Sequence, residues 1–173
     1  ILKDLTSLGV GGIVMCGTEL GEKSYTQSTF FKNREWRAAL LEGAAQAASP
    51  RLPEVHTEWT LARALASLSG SADITGTERR LAFDPYRGKG TIASMMHMSP
   101  GHHEAVATVS TEGYTRPRSV VLAIGSERGW TETEIETLKT SEFDFATLGA
   151  RILKSETAAL VASALAMEHL GYL

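Results

Sequence analysis

Val120-Val121-Leu122-Ala123-Ile124-Gly125-Ser126-Glu127-Arg128-Gly129-Trp130-Thr131 is the stretch from which the fold is read. Its first five residues form an uninterrupted, largely β-branched apolar run, the pattern of a buried strand in a parallel sheet. Gly125 cuts the strand, and Gly125 and Gly129 bracket a tight loop. Thr131 and Glu134 have the spacing of a capping box, in which the Thr hydroxyl accepts from a first-turn amide while the Glu reaches back. A polar helix over 131–140 is therefore expected. The loop between them joins the carboxyl end of a strand to the amino end of a helix. Open α/β sheets bind ligands at that edge, and glycine there allows close backbone approach to a bound molecule.

The same arrangement recurs downstream in Leu148-Gly149-Ala150-Arg151-Ile152-Leu153-Lys154-Ser155-Glu156-Thr157-Ala158. A strand over 143–148 meets Gly149 and then a long helix over 153–170, rich in Ala, Leu and Val. Arg151 and Lys154 interrupt an otherwise apolar transition. Cations are disfavoured at a helix amino end, which points to a functional reason for both. Upstream, residues 80–83 read as a strand running into Asp84-Pro85, 61–68 as a short helix ended by Ser69-Gly70, and 55–59 as a brief strand. Residues 30–48 have helical spacing of Phe31, Trp36, Leu40, Leu41 and Ala44, stopped by Pro50 and Pro53. A loop is expected over 17–29, a buried strand over 12–16, and a helix over 1–9 closed by Gly9. Strands alternating with helices give an α/β domain with a mainly parallel sheet. Residues 86–118 fit this alternation badly and read as an irregular excursion, with a short strand near 106–109.

Composition narrows the function. Of 173 residues, 43% are apolar, which disfavours disorder and small disulfide scaffolds. Seventeen Lys and Arg against twenty Asp and Glu leave a net charge of −3, so bulk positive charge does not drive nucleic-acid binding. Any such binding rests on local cations: Arg87, Lys89, Arg116, Arg118, Arg128, Arg151 and Lys154. The lone Cys16 permits neither an internal disulfide nor a cysteine-based zinc cage. No apolar run reaches the length of a membrane span. The chain opens in mid-pattern without Met, as expected of a piece of a longer protein. Arg87-Gly88-Lys89-Gly90-Thr91 is not a phosphate loop, because Phe83 stands where its first Gly belongs and Gly90 where Ser or Thr should follow the Lys. Gly9-Val10-Gly11-Gly12 lacks the dinucleotide spacing and precedes its strand. His97, His102 and His103 lie among Met95, Met96 and Met98 without carboxylates or thiolates at ligand spacing. They read as a solvated loop, and no metal site is expected.

The two glycine loops together resemble the signature of the RsmE family, SPOUT-class methyltransferases acting on N3 of a uridine in small-subunit ribosomal RNA. The family's I-G-P-E-G-G-F is here Ile124-Gly125-Ser126-Glu127-Arg128-Gly129-Trp130. Its L-G-x-R-I-L-R-x-E-T-A is here Leu148 through Ala158, with Lys154 for Arg. Leu5-Thr6-Ser7-Leu8-Gly9-Val10 is similar to its T-E-L-G-V, and residues 42–55 to its E-A-x-x-Q…R-x-P-E-V. The likeness covers the chain outside 86–118. Ser126, Arg128 and Lys154 depart from the pattern, and Arg128 puts a long cation into a loop that normally hugs the cofactor.

The resemblance implies one SPOUT domain over 1–173, a parallel sheet flanked by helices with a carboxyl-terminal trefoil knot, and an absent amino-terminal PUA-like RNA-binding domain. It implies S-adenosylmethionine as cofactor, small-subunit rRNA as substrate, a homodimer, and action in the cytoplasm or an organelle. The cofactor loops are then Phe83, Asp84 and Pro85; Ile124, Gly125, Ser126, Glu127 and Gly129; and Leu148, Gly149, Ile152 and Leu153. Leu148, Ile152 and Leu153 form an apolar wall. Glu127 is the candidate base or orienting group, Arg151 and Arg128 are electrostatic stabilisers, and Glu156 anchors the last loop or caps the helix start. Two other readings stay open: an RNA-binding assembly factor that has lost catalysis, and a SPOUT enzyme acting on another RNA position.

Overall fold

A computed structural model describes residues 1–22, 28–68, 78–96 and 117–173 of the chain, which divides into two compact units, Ile1–Gly70 and Ser71–Leu173. In the first unit, α1 (Leu2–Leu8) ends at Gly9, whose φ of 88° lets its amide turn back to the carbonyls of Leu5 and Thr6. Strands β1 (Gly12–Cys16) and β2 (Glu54–Glu58) pair in parallel, with Gly12 opposite Glu54 and Cys16 opposite Glu58. The expected burial of residues 12–16 is only partial.

The helix expected over 30–48 is broken into α2 (Thr29–Lys32) and α3 (Trp36–Gln46). Arg34 adopts a left-handed φ of 54° between them, a conformation no helix interior accommodates. The second segment ends ahead of the prolines, with Ala48 at a φ of 50°. Leu40, Gly43 and Ala44 carry its buried side, while Leu41 is exposed. A Cβ on Gly43 would stand 2.2 Å from the carbonyl oxygen of Lys3, so α1 and α3 touch backbone to backbone there. Helix α4 (Leu61–Leu68) packs on both strands through Leu61, Ala64 and Leu65.

In the second unit, β3 (Glu78–Phe83) runs between β4 (Ser119–Ile124) and β5 (Asp144–Ala146). All pairings are parallel, and Phe83 lies level with both Ile124 and Ala146. The three strands therefore end at one edge. The buried strand is β3, with Leu81 and Ala82 fully enclosed; the run 120–124, expected to be buried, lies at the side of this sheet and is half-buried. Strand β5 is shorter than the expected 143–148. Within the stretch expected to be irregular, residues 92–96 form α5 (Ile92–Met96), which buries Ile92, Met95 and Met96. These join Leu81, Phe83 and Ala146 in a core completed by Ala162 of α7 (Ser155–Leu170). Arg79 braces this core from within, donating to the Met95 carbonyl at 2.6 Å and pairing with Asp144 at 3.3 Å. Helix α6 (Glu132–Thr140) lies between β4 and β5 in the chain.

Ser69, Gly70, His97, Met98, His102, His103, Arg116 and the strand expected near 106–109 lie outside the described residues. Among the described residues, no three His, Cys, Asp or Glu are grouped to hold a metal, and no helix is long and apolar enough to cross a membrane.

Candidate active site

The level strand ends bring three loops together. The first follows β3 and is laced to the end of β5: the Asp84 amide donates to the Ala146 carbonyl at 3.2 Å, Lys89 to Phe145 at 3.0 Å, and Thr147 back to Gly90 at 2.8 Å. Asp84 is buried, and its carboxylate accepts from the amides of Tyr86 at 2.8 Å and Arg87 at 3.0 Å. The Arg87 guanidinium adds a bond to the other Asp84 oxygen at 3.4 Å and reaches Glu132 with its second terminal nitrogen. Gly88 is required by space, because a Cβ there would lie 2.3 Å from Thr147 Cγ2 and 2.6 Å from the Ala146 carbonyl carbon.

The second loop follows β4. Its end is fixed by the expected capping box, with the Glu134 amide donating to Thr131 Oγ1 at 3.2 Å and the Thr131 amide to Glu134 Oε2 at 3.0 Å. Trp130 is buried, and its Nε1–H donates to the Phe83 carbonyl at 3.1 Å. The indole lies so close over Gly125 that a Cβ there would stand 3.0 Å from Cε2. Ser126 closes the turn from its side chain, donating to the Gly129 carbonyl at 3.1 Å. Glu127 and Arg128 project from the tip and are exposed.

The third loop follows β5 and is built more openly. Gly149 has a φ of 108°, and a Cβ at that position would meet nothing within 4 Å. Its amide donates to Thr147 Oγ1 at 3.0 Å. At the far end Ser155 Oγ donates to the Gly125 carbonyl at 2.9 Å, tying the third loop to the second. Lys154 takes the N-cap position without a side-chain cap bond.

A cavity of about 390 Å³ lies between the loops. Phe83, Asp84 and Pro85 line it from the first loop, and Ile124, Gly125, Ser126, Glu127, Arg128 and Gly129 from the second. Leu148, Gly149, Arg151, Ile152 and Leu153 line it from the third. The residues named from the sequence for cofactor and catalytic roles thus share one wall system. Their freedom differs: the Asp84 carboxylate is occupied by its own loop, whereas Glu127, Arg128, Arg151 and Ile152 are exposed. Glu156 is exposed as well, and the anchoring expected of it is performed by Ser155.

The chain matches the RNA methyltransferase domain family over residues 1–167. It belongs to that family. It is 33% identical over 171 residues to a ribosomal RNA small subunit methyltransferase E of Treponema pallidum, covering 98% of this chain and 56% of the relative. It is 26% identical over 163 residues to a ribosomal RNA small subunit methyltransferase E 1 of Borreliella burgdorferi, covering 94% of this chain and 58% of the relative. The chain thus spans little more than half the length of these curated relatives. In fold it is similar to a ribosomal RNA small subunit methyltransferase E of Neisseria gonorrhoeae, crystallised bound to S-adenosyl methionine. That match has a TM-score of 0.67 at 21% identity and covers 98% of this chain and 59% of that one.

Two pairings at the cavity of this RNA methyltransferase domain escape a reading of sequence. Trp130 was legible only as the aromatic that ends the second loop; its donor finds an acceptor 47 residues upstream. Arg87 sits in the segment expected to be irregular, and its link to Glu132 spans 45 residues. Local spacing carries neither pairing.

Proposed function

We propose that the chain is the catalytic domain of an S-adenosylmethionine-dependent methyltransferase acting on N3 of a uridine in small-subunit ribosomal RNA. One observation carries the reading: in an RNA methyltransferase domain, three loops from level parallel strand ends line a half-open cavity of about 390 Å³. Small-subunit rRNA comes from the names of the relatives, and the N3 atom from the resemblance of the two glycine loops to the RsmE family.

The residues fit the cofactor. Ligand cavities run from roughly 300 to 1,000 Å³ and combine apolar walls with a few polar groups. Here Leu148, Ile152 and Leu153 supply the apolar wall, and the space over Gly149 is open to a bound molecule. When bound, S-adenosylmethionine supplies an electrophilic methyl group on a sulfonium centre. The chain's own tasks are alignment of uridine N3 and exclusion of water. Uridine N3 carries a weakly acidic proton that must leave before or during attack. Glu127 accepts or orients that proton, and Arg151 and Arg128 stabilise the negative charge that develops on the ring. Backbone groups of the second and third loops hold the cofactor's adenosine.

On this reading residues 1–173 are one SPOUT domain with a carboxyl-terminal trefoil knot, a reading supported by the resemblance of the two glycine loops to the RsmE family. A homodimer is supported by α7, which buries Ala158, Ala162, Ser163 and Ala166 while leaving the large apolar side chain of Leu165 exposed. The proposed place of action is the cytoplasm, where small subunits assemble.

Calorimetry with S-adenosylmethionine tests the binding, and mapping of N3-methyluridine in small-subunit rRNA from cells with and without the gene tests the reaction. Arg151→Ala is expected to lower turnover at saturating cofactor by ~10²-fold, the scale of losing one preorganised electrostatic donor, with cofactor affinity retained. A loss confined to cofactor affinity contradicts the role. A second reading, an RNA-binding factor without catalysis, is favoured by Arg128 alone, which stands where the resembled family has Gly. It predicts RNA binding with no heat of cofactor binding.

A further inference from the structure

Arg87 lies on the cavity wall, yet the proposed reaction leaves it without a task. Its guanidinium is shared between two acids of different character. Asp84 is buried with its side chain 5% exposed, accepts from two backbone amides, and takes one guanidinium nitrogen at 3.4 Å. Glu132, which takes the second terminal nitrogen, has a side chain 79% exposed and does not line the cavity. An exposed carboxylate of this kind contributes little net stabilisation to an ion pair, because water and salt compete for both partners. A guanidinium drawn to a buried carboxylate and only loosely engaged by an exposed one, by contrast, has donors to present to a phosphate.

The surroundings favour an anion. The cavity wall carries three cations, Arg87, Arg128 and Arg151, against two acids, Asp84 and Glu127. This local excess of cations stands in a chain of net charge −3. We infer that Arg87 and Glu132 form an exchangeable latch: Arg87 leaves the exposed Glu132 carboxylate to take a backbone phosphate of the RNA strand at the cavity, and Glu132 is the built-in competitor for that phosphate. Asp84 keeps the guanidinium aimed in both states. Glu132 also ties the first loop to the start of α6 when no RNA is present, so exchange loosens that tie as the substrate arrives. The inference rests on the proposed reading of the site and names its contact to the substrate.

The test uses a fluorescent, uridine-containing single-stranded RNA hexamer and anisotropy titrations across a salt series starting at low salt. Glu132→Gln is expected to tighten RNA binding roughly two- to fivefold, the worth of one exposed ion pair. Arg87→Gln is expected to weaken binding and to flatten the salt dependence by about 0.7, the share of one phosphate contact on a single strand. The double variant should behave as Arg87→Gln alone, because the competitor matters only while Arg87 is present. A gain from Glu132→Gln that persists without Arg87 overturns the latch, since it then reflects only a lowered negative charge. Unchanged or weaker binding by Glu132→Gln overturns it, as does failure of every form to bind the hexamer. Calorimetry with S-adenosylhomocysteine separates this from the parent reading. Glu132→Gln should bind it as the natural chain does, and a gain there instead of with RNA assigns Arg87 to the cofactor's carboxylate and overturns the latch. A natural chain that binds no cofactor overturns the methyltransferase reading itself, whatever the RNA titrations give.

Discussion

The junction after β4 and the junction after β5 have the same local grammar, a strand end, a glycine and a helix start, yet they are built to different stiffness. The first is braced from several directions. Its helix is closed by a capping box, its turn by Ser126, and its base by the Trp130 indole on Gly125 and the Phe83 carbonyl. The second has a glycine at a φ of 108° with open space beyond it, an uncapped helix start at Lys154, and two exposed side chains, Arg151 and Ile152. It is held chiefly through Ser155, which borrows the Gly125 carbonyl of the stiffer junction. The difference suggests a division of labour: one wall of the cavity is a fixed platform, and the other is shaped by what binds. Substitutions in the first should therefore be felt as stability, and substitutions in the second as binding.

The largest expected effect falls on the braced side. Trp130→Ala removes a buried ring that packs on Gly125 and a hydrogen bond that fastens the β4 junction to the end of β3. A cost of about 3–5 kcal/mol is expected, the usual range for deleting a buried large aromatic. Trp130→Phe keeps most of the ring and loses the donor, leaving the Phe83 carbonyl without that partner, so it should cost about 1–2 kcal/mol. Chemical denaturation measures both. Equal stability of Trp130→Ala and the natural chain would show that the indole is not a brace and remove the basis of the contrast.

Gly149→Val probes the open side. The position is exposed and the added side chain meets no neighbour, so the objection is to backbone angle alone. A β-branched residue at positive φ carries strain of about 1–3 kcal/mol, which the loop relieves by leaving its present course. Because little else depends on that course, the melting temperature should change slightly. S-adenosylmethionine affinity should fall by roughly tenfold or more, as the loop no longer presents the same wall. Calorimetry and a thermal melt on the same sample decide the matter. Unchanged affinity sinks the idea that this loop shapes the cofactor site, and a cooperative loss of fold would place the loop with the braced junction.

What the sequence reveals follows the range of the interactions. The capping box of Thr131 and Glu134, the Gly9 helix end and the glycine at 149 all act within a few residues, and their spacing makes them visible. The three loops could be named because each is announced by an apolar run ending in glycine or an Asp-Pro pair. Burial was less legible. Val120 to Ile124 is the most hydrophobic run, yet in its sheet it lies to one side, while Arg79 and Arg80 disguise β3, the central strand. Arg79 is buried because Asp144 and the Met95 carbonyl receive it, partners far away in the chain. The break at Arg34 carries no proline or glycine to mark it, and its one local sign is the five-residue step from Phe31 to Trp36, longer than a helical turn. Trp130 and Arg87 complete the pattern: the role of each is decided by an acceptor far away in the chain, the Phe83 carbonyl at the end of β3 and Glu132 at the start of α6.

The smallest effect tests whether the bracing is distributed or rests on the indole alone. Thr131→Ala removes the side-chain acceptor of the Glu134 amide and leaves the return bond from the Thr131 amide to Glu134 Oε2 in place. Loss of one N-cap hydroxyl costs about 1 kcal/mol, and Thr131→Ser should stay within a few tenths of the natural chain because Ser caps equally well. Glu134 is buried beneath this cap, so water replaces the missing bond poorly and the upper part of the usual range applies. Thr131 does not line the cavity, and cofactor affinity should be nearly unchanged in both variants. A neutral Thr131→Ala would mean that Trp130 alone holds the junction. A loss of cofactor affinity larger than the loss of stability would mean that the platform moves with its helix, and that both junctions, not one, are shaped by the ligand.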